Sequence, residues 1–234
     1  MVKINKINKN YIVKSDCYSV RINGSGTIRK LFFDGVNTGL TREGCEYWID
    51  GGKHYQQEFG GVLTTMQDKN KIELTATMKT SKGRKFGGKC SAKYNFKKSS
   101  VTIESELLPA TKPLSSNKYV CFYHKEYTHY SFDGEKFKEI KSGCIVDEGA
   151  TSVTLKKGDK EIKIKCLSPI SKMRIYKTSS MVEIKPEWVD KVMKLELCIV
   201  PSTSTTSASI PSTSQPSTPI ENKVQADDEK NAGL

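Results

Sequence analysis

Apolar and polar residues alternate with a period of two along most of the chain. In IELTATMKT (residues 72–80), Ile72, Leu74, Ala76 and Met78 fall on one side and polar residues on the other. CSAKYNF repeats the arrangement with Cys90, Ala92, Tyr94 and Phe96, and EIKIKCL sets Ile162, Ile164 and Cys166 against Lys163 and Lys165. This alternation buries one face of each strand and wets the other, as in antiparallel sheet. Turn signals separate the runs at Asn23-Gly24-Ser25-Gly26, Asp34-Gly35, Asp133-Gly134 and Lys157-Gly158-Asp159. Asn-Gly and Asp-Gly pairs accept the positive φ of tight hairpins, so Asp133-Gly134 is expected to join YTHYSF directly to EKFKEI. About fourteen strands are expected between Tyr11 and Val200. Only PEWVDKVMK reads as a helical turn, with Pro186 at its first position. The expected fold class is all-β, with a single large antiparallel β-sandwich over residues 1–200.

The pattern stops at Pro201. PSTSTTSASIPSTSQPSTP (201–219) has neither charge nor aromatic ring and cannot bury enough surface to offset chain entropy. It reads as a Ser/Thr/Pro-rich linker or stalk, and 220–234 as a disordered tail. Such tracts are typical of O-glycosylated stalks on exported proteins. The amino-terminal MVKINKINKN has no apolar segment of a secretory signal, and no stretch approaches the ~18 apolar residues of a membrane span. The expected setting is extracellular or at the cell surface. There the domain would be a module of a larger exported protein, joined to further domains through 201–219.

Charge and cysteine usage narrow the partners. The formal net charge is +12, and the basic surplus lies entirely before Pro201. Lys82-Gly83-Arg84-Lys85, Lys97-Lys98 and Lys156-Lys157 sit at turns, where solvated charge costs least. A surplus of this size attracts polyanions, so acidic glycans are an expected partner class. Nucleic acid is disfavoured, because no recognition helix, RNP-type motif or zinc site accompanies the charge. Seven cysteines (Cys17, Cys45, Cys90, Cys121, Cys144, Cys166 and Cys198) form no CxxC pair and have no histidine at zinc-finger spacing. They read as small apolar fillers, and neither a metal site nor a cofactor is expected.

Four stretches in order, YSVRINGSGTIRKLFFDGV, YQQEFGGVL, KIELTATMKTSKGRKFGGKCSAKYNFKKSSVTIESELLP and VMKLELCIVP, resemble the galactose-mutarotase-like β-supersandwich over most of 11–201. Domains of that superfamily occur as sugar epimerases and as parts of polysaccharide lyases and glycoside hydrolases. The resemblance therefore implies carbohydrate as the ligand class without implying activity. Its epimerases use a general acid His and a general base Glu, since proton transfer at a sugar needs a group on either side of the reacting atoms. The two candidate pairs are His54 with Glu58 and His124 with Glu126, each placed on one strand face by even spacing. Their flanking sequence does not match the family's acid and base.

Aromatic faces bind sugar C–H groups while polar side chains take the hydroxyls. In GGKHYQQEFGG and its neighbours the candidates for such contacts are Trp48, Tyr55, Gln57 and Tyr127. The leading expectation is a non-catalytic carbohydrate-associated module. A carbohydrate-active enzyme using a His/Glu pair and a structural surface module stand as alternatives.

Overall fold

The computed structural model describes residues 1–49, 53–108 and 115–199. The first strands, β1 (Lys3–Ile7), β2 (Asn10–Lys14), β3 (Tyr18–Ile22), β4 (Ile28–Phe33) and β5 (Val36–Asn37), form a five-stranded antiparallel meander. The chain then runs through β6 (Leu40–Ile49), β7 (Lys53–Gln56), β8 (Val62–Asp68), β9 (Lys71–Lys79), β10 (Lys85–Phe96) and β11 (Ser100–Leu108). Next come β12 (Ser115–Tyr123), β13 (His129–Phe132), β14 (Lys138–Glu139), β15 (Gly143–Asp147) and β16 (Ser152–Lys157). The last are β17 (Lys160–Cys166), β18 (Ile170–Lys177), β19 (Met181–Ile184), β20 (Glu187–Trp188) and β21 (Val192–Ile199). These sixteen strands make one sheet with the order β14-β13-β16-β17-β21-β11-β10-β9-β7-β6-β12-β19-β18-β15, with β8 on β9 and β20 on β18.

The all-β architecture follows from the alternation. Ile72, Leu74, Ala76 and Met78 are buried, as are Cys90, Ala92, Tyr94 and Phe96 on the neighbouring strand. The small sheet lays Val13, Val20, Ile22 and Leu31 against this apolar face, forming one core with Leu74, Tyr94, Val120 and Ile164. Polar bonds tie the two sheets at the edges: Tyr18 Oη donates to Lys97 O at 2.7 Å and Val62 N to Gly24 O at 3.1 Å. A second cluster on the same face of the large sheet holds Cys45, Tyr47, Tyr55, Met78, Cys90, Leu107 and Met193. Cys45, Cys90 and Cys166 are core fillers, and all seven cysteines are free thiols.

One ion pair is fully enclosed in this interior. Glu43 on β6 accepts from the Lys118 ammonium on β12 and, through Oε2, from Ile28 N at 3.1 Å. The Tyr94 hydroxyl lies 3.1 Å from the same carboxylate oxygen and 2.6 Å from Gly26 O. Burial works against the Lys118 charge, but Glu43 together with the neighbouring Cys45 and Cys90 outweighs it and holds the ammonium above the usual lysine range.

Several expectations are corrected. The described residues hold twenty-one strands, because two-residue segments such as β5, β14 and β20 pair as well. PEWVDKVMK is not helical. Glu187–Trp188 pairs with β18, and Val192–Ile199 lies between β11 and β17, so the alternating Met193, Leu195 and Leu197 prevail over the proline signal. Asp133 and Gly134 do take positive φ, at 44° and 86°, but pairing resumes only at Tyr130 with Lys138, leaving a longer loop. The expected stalk at 201–219 and tail at 220–234 lie outside the described residues. Among the described residues no helix is long and apolar enough to cross a membrane.

A 3-10 turn, Gln57–Phe59, follows β7 and ends on two glycines with opposite tolerance. A Cβ at Gly60 would lie 1.7 Å from Thr77 O on β9, whereas one at Gly61 meets nothing within 4 Å. Gly60→Ala is therefore expected to cost at least about 1–3 kcal/mol in urea unfolding, as overpacking does. Gly61→Ala should stay within about 0.5 kcal/mol of wild type, as changes in open space do. Equal effects of the two would show that the turn does not dock closely on β9.

Candidate functional site

Register decides which side chains face away from the core. Arg42 pairs with Cys121, Gly44 with Tyr119 and Glu46 with Asn117 between β6 and β12. Cys121 in turn pairs with Glu183 on β19, and β7 sets His54 beside Trp48. Directly opposed residues in a sheet point to one side. Arg42, Glu46, Trp48, His54, Asn117, Tyr119, Cys121 and Glu183 thus share the polar face, opposite the Glu43–Lys118 pair.

Two linked networks occupy this face. Glu46 binds His54 Nε2 at 2.8 Å and Asn117 Nδ2 at 3.3 Å and pairs with the Lys185 ammonium. Burial alone would raise its pKa, but His54 and Lys185 more than offset that and bring it to about 2. Glu183 goes the other way: burial, reinforced by the Glu46 charge, raises its pKa against the pull of Lys185. Arg42 makes the second network, donating to Glu58 Oε1 at 2.8 Å and to Cys121 Sγ at 3.4 Å. Its guanidinium lies 5.4 Å from the centre of the Tyr119 ring, whose buried hydroxyl has no hydrogen-bond partner. Burial pushes the Cys121 thiol up to about 12.

A pocket of about 500 Å³ opens at Arg42. Its position follows from a β-bulge: Arg42 opposes Cys121 while Leu40 opposes Phe122, so Thr41 is the extra residue. Bulges bend a strand and re-aim its side chains. The Gln57–Phe59 turn supplies the opposite wall. Gln57 is anchored inside, donating to Gly26 O at 3.1 Å and accepting from Cys45 N at 3.3 Å. This anchoring presents Glu58, bonded by Arg42 and by Arg29 at 3.2 Å, and Phe59. Phe59 and Tyr123 remain 39% and 58% exposed, so two aromatic rings border a fixed arginine–glutamate pair.

The expected residues are distributed differently from the sequence reading. β7 ends at Gln56, so strand alternation does not run from His54 to Glu58; His54 pairs with Glu46, and Glu58 with Arg42 and Arg29. His124 and Glu126 lie in the turn after β12, where Glu126 pairs with Lys160. Tyr55 and Tyr127 are core residues, and Gln57 is the buried anchor of the turn, so none of the three presents a surface. Trp48 is half-buried with one face stacked on His54 at 4.0 Å. Arg42, Arg29 and Phe59 were not singled out in the sequence. An arginine at a strand start and an aromatic before Gly-Gly were the available signals. Among the described residues no group of His, Cys, Asp and Glu is placed to hold a metal ion.

No family model and no curated protein matches the sequence. Solved structures do match the fold. A galactose mutarotase related enzyme from Lactobacillus acidophilus aligns with a TM-score of 0.54 at 11% identity, over 87% of this chain and 99% of that one. A galactose mutarotase-like protein from Lactobacillus casei aligns at 0.53 and 10% identity, over 82% of this chain and 100% of that one. The 4-α-glucanotransferase from Thermococcus litoralis aligns at 0.54 and 10% identity, but its match takes in only 40% of that chain against 86% of this one. At these identities the likeness shows the fold alone, the galactose-mutarotase-like β-sandwich.

The Glu46 network sets an acid limit. A carboxylate whose folded pKa is about 2, against an ordinary 4.5, contributes stability that is present above pH 4.5 and lost as pH falls towards 2. Glu183, raised, contributes in the opposite sense, since its protonation favours the folded state. Wild type should exceed Glu46→Gln by about 3 kcal/mol at pH 7, a gap that closes towards pH 2. Urea midpoints measured across this range test it, and a constant gap would contradict it.

Proposed function

We propose that the pocket at Arg42 binds a carbohydrate and that the domain is a non-catalytic carbohydrate-associated module. The observation that carries this reading is the pairing of two exposed rings, Tyr123 and Phe59, with the fixed polar groups of Arg42, Arg29 and Glu58. A sugar offers C–H faces for the rings and hydroxyls for the charged groups, and ligand pockets combine such surfaces. Similarity of fold to proteins named as mutarotase-related and as a glucanotransferase supports the ligand class. The non-catalytic part rests on the fate of the histidines. His54 is engaged by Glu46 and Glu58 by Arg29 and Arg42, so each is committed to another partner and not to proton transfer with the other. An exported, multidomain setting rests on the Ser/Thr/Pro-rich stretch 201–219.

A second reading has one observation in its favour. Glu46 and Glu183 lie on one face with pKa values pushed in opposite directions, the arrangement that separates a base from an acid. In that reading Glu183 delivers the proton and the domain is an enzyme.

Titration with D-galactose and maltose, followed by amide chemical shifts, separates these readings. Saturable shifts are expected around Arg42, Glu58 and Tyr123. Tyr123→Ala should weaken binding about tenfold, equivalent to one stacking contact. Arg42→Met should weaken it further, and Trp48→Ala less. The optical rotation of freshly dissolved α-D-galactose should relax at the same rate with and without protein. Acceleration abolished by Glu183→Gln would establish the enzyme instead, and absence of saturable shifts in the pocket would end the carbohydrate reading.

A further inference from the structure

The polar face carries a second recess, on β9, β10, β11 and β21. Its volume is about 290 Å³, and Thr102 stands among its lining residues. Thr102 faces Asn95 on one side and Glu196 on the other, and Glu104 follows on its own strand face. The Thr102 residue is only 5% exposed, and its hydroxyl has no hydrogen-bond partner. A buried hydroxyl left unpaired is unfavourable, so this one is a free donor and acceptor for a polar group entering the recess.

The rim is positive. Lys71, Lys93 and Lys194 line the recess with Glu73 and Glu104. Glu104 is shared, 3.4 Å from Lys93 through one oxygen and 3.4 Å from Lys194 through the other. One carboxylate therefore serves two ammonium groups, which leaves each with hydrogen-bonding capacity for an incoming anion. The Asn95 side chain, which accepts from Asn70 at 3.4 Å, keeps its own amide N–H groups for a hydroxyl or carboxylate oxygen. Lys71 and Glu73 bring β9 into this recess, and in the sheet order β9 is followed by β7 and then by β6, the strand that carries Arg42.

We propose that this recess is a second carbohydrate subsite, which takes an acidic sugar residue of an oligosaccharide lying across the strands. Its carboxylate sits between Lys93 and Lys194, and a ring hydroxyl pairs with Thr102 Oγ1. This rests on the carbohydrate reading of the Arg42 pocket and extends it from a single sugar to an acidic chain.

Tetragalacturonate is the probe, with maltotetraose and inorganic phosphate as controls, again followed by amide shifts. Tetragalacturonate should move Asn95, Thr102 and Lys194 saturably, more strongly than maltotetraose does. Thr102→Val, which removes only the unpaired hydroxyl and leaves the fold as stable as wild type or more so, should weaken this about fivefold. Lys194→Met should weaken it at low salt and much less at high salt. In Arg42→Met the shifts at Thr102 should persist, so a failure of the first pocket and a failure of this one read separately. Silence at Thr102 and Asn95 overturns the subsite, as does a Thr102→Val variant that binds like wild type. Equal response to maltotetraose, or the same response to phosphate at equal concentration, overturns its assignment to an acidic sugar.

Discussion

The structure depends on a carboxylate and an ammonium shut inside the sandwich. Removing Glu43 and Lys118 from water costs several kcal/mol per ion, and only close pairing with further hydrogen bonds offsets it. Those bonds come from separate parts of the chain: Ile28 from the small sheet, and Tyr94 from β10, which also reaches Gly26. The pair therefore joins β6 to β12 and fixes both against the other layer. It also specifies register. A one-residue slip of β6 would turn Glu43 outwards, strand Lys118 inside and drive Arg42 and Glu46 into the core, because side chains alternate between faces.

The site on the opposite face inherits its order from this constraint. Glu46 is placed where His54, Asn117 and Lys185 converge, and Arg42 where Glu58, Cys121 and the Tyr119 ring meet it. The bulge at Thr41 then opens the pocket, and Gly60 lets the Gln57–Phe59 turn dock closely enough to face it. The buried ion pair and the pocket are thus separated by the thickness of one sheet. Buried charge specifies the register on the inner side, and half-exposed charge with aromatic rings forms the pocket on the outer side.

Much of the fold was legible because β9, β10 and β17 alternate cleanly and their apolar residues leave one choice of face. The site was less legible because β6 does not alternate. In TREGCEYWI, Glu43 and Glu46 are both acidic and Tyr47 and Trp48 both aromatic, yet each pair is split between the two faces. Local pattern cannot say which member is inside, and the partners that decide it, Lys118 and Tyr94, are remote in sequence. The same holds for Tyr55, Gln57 and Tyr127: aromatic and polar types suited to a sugar also suit a core. For His54 and Glu58 the even spacing says nothing about a shared strand face, because the strand ends at Gln56 between them.

A double-mutant cycle on Glu43→Gln and Lys118→Met, read by urea unfolding at neutral pH, tests most directly whether this pair governs the fold. Each single substitution leaves a buried partner unpaired and should cost about 3–5 kcal/mol. The double substitution should cost clearly less than the two together, with a coupling of about 2 kcal/mol or more, because neither stranded group remains. Single losses within about 0.5 kcal/mol of wild type, or simple additivity, would contradict the role given to the pair.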